Sequence, residues 1–167
     1  MLPGLEIAAA GLLWLTSGAV ECRLPKAPVV TVSPITKPIA YEFGYSSADL
    51  SRVKADTVSP YAPGTDTTTG GLRHDQPVTR LQVSVGYQEF ASGVICLWYD
   101  QVTYNIELSP KIYIAKEYPK GKCRNAIMAH EQKHVIVDRQ VINGYAQDIG
   151  RTLQKAVNAA GAIGPYA

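Results

Sequence analysis

The sequence predicts an α+β domain in which an antiparallel meander of strands packs on a long C-terminal helix. Two patterns and the chain's size carry that expectation. Between Val78 and Lys116, short runs of apolar residues on alternate positions follow one another at close spacing, the mark of strands with one buried face. From Cys123 or Arg124 to about Ala160 the period changes. Val141, Tyr145, Ile149, Leu153, Ala156 and Ala160 recur at steps of three and four, which draws one apolar stripe along a helix. At 167 residues, 46% hydrophobic and 18% charged, the chain can build one core and is no disordered tail.

Taken in order, the first 19 residues stand apart. Ile7 to Val20 is a nearly unbroken run of apolar and small residues, short for a membrane span and suited to the core of a signal peptide. Ser17-Gly18-Ala19 supplies small residues where a signal peptidase cuts. Residues 1–19 are therefore expected to be a signal peptide, sending the protein to the periplasm or outside the cell. Glu6 is the only charge before Glu21, and the missing basic start leaves an uncleaved membrane anchor, facing outside the cytoplasm, as the alternative.

Residues 20–38 form a Pro-rich extended segment (Pro25, Pro28, Pro34, Pro38) that suits an edge strand or linker. Residues 39–167 are expected as a single domain. Ile39 to Tyr45 reads as a strand, and Ser47 to Val58 holds a short helix ended by Pro60 and Pro63. Pro63 to Pro77, rich in Gly, Thr and Asp, is expected as a long loop carrying His74. Val78 to Phe90, Gly93 to Trp98, Val102 to Leu108 and Lys111 to Lys116 are the strands of the meander. Pro119 and Gly121 interrupt the chain before the helix, and Gly144 and Gly150 predict a bend after Asn143.

In an oxidising compartment Cys96, in a strand, and Cys123, at the start of the helix, are the expected disulfide, with Cys22 left odd. The formal charge of +2, without a Lys- or Arg-rich run, argues against nucleic acid. The chain has no Gly-rich phosphate loop, no Cys-x-x-Cys and no Gly-x-Ser-x-Gly.

The chemistry concentrates in His130-Glu131-Gln132-Lys133-His134, which holds two of the three histidines. Four residues apart on a helix, both imidazoles share one face and can reach one metal ion. Ala126 to Ala129 before the motif and Val135 to Val137 after it are apolar, so the helix is expected inside a domain, with Lys133 at its solvent edge.

With this spacing on an apolar helix the chain resembles the zincin class of metallopeptidases. It also looks like small, exported, uncharacterised bacterial zincin-like proteins. The resemblance covers the motif helix and the strand Lys111 to Lys116, cast as the edge strand that pairs with substrate. It implies Zn2+ held by His130 and His134, Glu131 as the general base, and hydrolysis of an amide bond in a peptide or protein. The extensions of two zincin clans are missing: Val137 and Gln140 stand where metzincins place Gly and then His or Asp, and no Glu follows Glu131.

The third ligand is open between His74, Asp138 and Asp148, with Glu107 and Glu117 behind them. Asp138 lies about 12 Å along a helix axis from His130, and Asp148 about 21 Å from His134 unless the helix breaks at Asn143-Gly144. Tyr145 and Tyr118 are candidates to hydrogen-bond an oxyanion, with simple packing as the other reading. The rival to a peptidase is a non-catalytic envelope domain whose histidines are structural or bind metal without hydrolysis.

Overall fold

The computed structural model describes residues 20–53 and 67–167. The expected signal peptide and the end of the expected short helix lie outside them. In chain order the elements are β1 (Val29–Thr36), β2 (Ala40–Glu42), α1 (Ser47–Arg52), β3 (Gly71–His74), β4 (Val78–Glu89), β5 (Ile95–Leu108), β6 (Lys111–Ile114), α2 (Lys122–Ala160) and β7 (Ala162–Tyr166). The fold is α+β, with two sheets and a long C-terminal helix.

β5 is the spine of the first sheet. β4 pairs antiparallel along one side of it. On the other side β1 runs parallel, from Val29 opposite Gln101 to Thr36 opposite Leu108, and β7 pairs antiparallel with the start of β5. Alternation buries Val102, Ile106 and Leu108 of β5, as a strand with one face on a core requires. The Pro-punctuated segment thus supplies β1, an edge strand of this sheet. In the second sheet β6 lies between β2 and β3. Ile112 and Ile114 of β6 are fully buried and pack with Val135 of α2.

The expected meander is corrected in three places. Ile95 to Trp98 of the expected Gly93 to Trp98 strand and Val102 to Leu108 belong to one 14-residue strand. The break in their alternation is a bulge, where Ser84 faces Gln101 and Val85 faces Tyr99, leaving Asp100 without a register partner. Lys111–Ile114 does not continue the sheet but becomes the centre of the second one. With β2 on one side and β3 on the other, it cannot be a substrate-pairing edge. The Gly/Thr-rich stretch read as loop contains the strand β3, which is an edge.

α2 runs for 39 residues with no break at Asn143-Gly144, so the expected bend is absent. Gly144 has open space around it, and Gly150 lets the helix rest on Val32, whose Cγ2 would lie 3.5 Å from a Cβ at residue 150. The helix is about 58 Å long, enough to serve both sheets. Its first half packs on β3 and β6, its second half on β1 and β5. No helix among the described residues is long and apolar enough to cross a membrane.

The expected Cys96–Cys123 disulfide is also corrected. Cys96 bonds to Cys22, with Cα atoms 5.5 Å apart, and Cys123 is free and exposed. The reason is placement: Cys96 sits near the start of β5 in the first sheet, whereas the first turn of α2 belongs to the second sheet. Cys22 reaches Cys96 by running past β7, where a Cβ at Gly164 would lie 3.2 Å from its Sγ. A disulfide of this kind fits an oxidising, exported environment.

Candidate metal centre

The centre is built on the first half of α2. Val135 belongs to the core with Ile112 and Ile114, and this anchors the helix rotation. At 100° per residue, His130 and His134 then fall on a flank, where both are exposed. Their Nε2 atoms are 3.2 Å apart and the rings meet edge to face with centroids 4.9 Å apart. Tetrahedral zinc with Zn–N bonds of 2.0–2.1 Å separates two nitrogens by about 3.3–3.4 Å. The pair fits such an ion.

Glu131 turns the other way. It is buried, 8% exposed, between α2 and β3. The close approach is permitted by Gly70 and Gly71: a Cβ at residue 71 would fall 2.5 Å from Ile127 Cγ2 and 2.9 Å from Glu131 Oε1. Gly70 packs likewise on Ile127 and Tyr118. Arg73 adds an ion pair to Asp138, whose other oxygen is buried without a hydrogen-bond partner.

These contacts show which strand neighbours the histidines. Ile127, Glu131 and Asp138, which face β3, lie about 60–100° round the helix from His130, whereas Gln132 lies about 200° away. Gln132 Nε2 donates to Tyr41 Oη at 2.6 Å, tying that opposite side to β2. The edge of β3 that has no strand neighbour among the described residues is therefore on the histidine side. Lys133 is exposed, as a residue at the helix edge should be.

The third-ligand candidates are placed elsewhere. Gly71 and Arg73 face α2, so alternation along β3 turns His74 to the other face of the sheet, away from the pair. Asp138 is held by Arg73. Asp148 pairs with Arg151 and, on an unbroken helix, stays about 21 Å along the axis from His134. Glu107 pairs with Lys37, and Glu117 accepts from the Ser47 backbone and hydroxyl at the start of α1. Among the described residues no three of His, Cys, Asp and Glu come together to hold a metal.

The tyrosines are likewise apart from the pair. Tyr118 packs on the core cluster beside Ile127, and Tyr145, 61% exposed, lies about 16 Å along the axis from His134. Sequence reasoning missed Gly70, Gly71, Arg73 and Gln132 as positioning residues. The one signal was Leu72-Arg73-His74, three side chains too large for a Gly-rich turn. Comparison with protein-family models, curated proteins and solved structures gives no match.

Proposed function

We propose that the chain is an exported zinc-dependent peptidase, with His130 and His134 as metal ligands and Glu131 as the general base. The observation that carries this reading is the 3.2 Å between the two Nε2 atoms, the spacing of a chelating pair. Zinc bound there would supply a Lewis acid that activates water and polarises a carbonyl. Glu131, the next residue round the helix and buried against β3 in this structure, would turn toward the pair to take the proton from water and return it to the leaving amine. The outer edge of β3, unpaired among the described residues, offers an extended peptide a strand to pair with on the histidine side. The placement of β3, an edge strand among the described residues, beside the motif helix supports the same assignment, as the Cys22–Cys96 bond supports the periplasm or the exterior as the site of action.

A second reading, a non-catalytic envelope domain whose histidines are structural or bind metal without hydrolysis, is favoured by the burial of Glu131 against β3. Zinc content and proteolysis separate the two. Wild-type protein is expected to hold one zinc per chain and His134→Ala to lose it; a metal-free wild type removes the peptidase. Glu131→Gln is expected to keep zinc and lose at least about 100-fold in hydrolysis. Zinc without hydrolysis in the wild type selects the second reading.

A further inference from the structure

The edges of the two sheets are unequal. β1 carries Pro34 and is followed by Lys37-Pro38, β7 carries Pro165, and β2 and β3 are only three and four residues long. Short length, proline and charge are the devices that keep an edge from pairing with another chain. β4 carries such devices only at its ends, where Pro77 precedes it and Arg80 and Glu89 lie near its termini. It is 12 residues long, without a strand neighbour among the described residues on the side away from β5, without proline within it, and uncharged from Leu81 to Gln88. Leu81, Val83, Val85 and Tyr87 project from one face and are 48–70% exposed.

We propose that β4 pairs antiparallel with β4 of a second copy of this chain, joining two first sheets into one across a twofold axis. The occupant follows from self-complementarity. An axis perpendicular to the sheet keeps each residue on its own face, so residues opposed across the joint must share a face. A register centred on Ser84 satisfies this and sets Leu81 opposite Tyr87 of the second copy and Val83 opposite Val85. Arg80 then meets Gln88 and Thr79 meets Glu89, so no like charges are opposed. Centring on Val83 instead strands Tyr87 opposite Thr79. The bulge at Asp100 belongs to β5, so β4 keeps the regular spacing of its outward N–H and C=O groups.

Sedimentation and site-specific cross-linking test this with the mature protein. Wild type is expected to sediment at twice the mass of one chain at micromolar concentration. Ser84→Lys, which opposes two lysines on the axis, should weaken the dimer at least tenfold with an unchanged far-ultraviolet spectrum. In a Cys123→Ser background, Ser84→Cys should form an interchain disulfide on mild oxidation and Val83→Cys should not, because only residue 84 faces itself. A wild type that stays monomeric overturns the proposal, as does a Ser84→Lys protein that still dimerises or a link through Val83→Cys in place of Ser84→Cys.

Discussion

Gly71 shows how a side chain that is absent shapes the centre. The hydrogen at residue 71 is what lets β3 approach Glu131 and Ile127; a methyl there would collide with Ile127 Cγ2 at 2.5 Å. Overpacking of this kind costs about 1–3 kcal/mol, so Gly71→Ala should lower the urea midpoint without changing the slope of the transition. Gly144→Ala, with open space around the added carbon, should stabilise by up to about 1 kcal/mol and serves as the control. The histidine pair was legible in the sequence because its geometry needs only five residues of one helix. The burial of Glu131 and the use of the Gly-Gly pair were not, since both depend on a strand some 60 residues away in the chain.

Among the elements, α2 and the apolar alternation of β4 to β6 were legible from periodicity, because each pattern is long and internally consistent. The joins between them were not. The three-residue gap Tyr99-Asp100-Gln101 reads as a connection, whereas the strand absorbs it as a bulge against Ser84 and Val85. α1 was legible from its spacing, and its stability has a stated pH dependence. Ser46 caps it, donating to and accepting from Asp49 in a reciprocal box. The Ser46 side-chain and backbone hydrogen bonds hold the Asp49 carboxyl below its ordinary range, and the hydrogen bond from its own backbone, then those from Ser47, do the same for Glu117. Both native forms favour loss of the proton, so their contribution is complete above the ordinary carboxylate range and disappears as pH falls through and below it. Amide exchange at Ser47 to Leu50 should accelerate over that acid interval while α2 remains protected; equal acceleration in both helices would assign the change to global unfolding.

In the molecule as a whole, the Cys22–Cys96 bond closes a covalent loop across a sequence separation of 74. On the chain-entropy model such a loop contributes at most about 4.5 kcal/mol. The double variant Cys22→Ser/Cys96→Ser should therefore melt well below the oxidised protein, and alkylation of denatured, unreduced wild type should label Cys123 alone. Labelling of Cys22 in place of Cys123 would restore the pairing expected from sequence. That pairing failed because position in the chain does not reveal which of two sheets a residue joins, and the sheets are set by parallel pairings, β1 with β5 and β2 with β6. Each of those brings together residues about seventy positions apart, and the entropy of closing such loops must be met before their contacts return anything. The histidine pair carries no such cost. It comes into being when one stretch of α2 coils, so the geometry proposed to bind metal exists before either sheet has assembled, and assembly then determines what surrounds the pair.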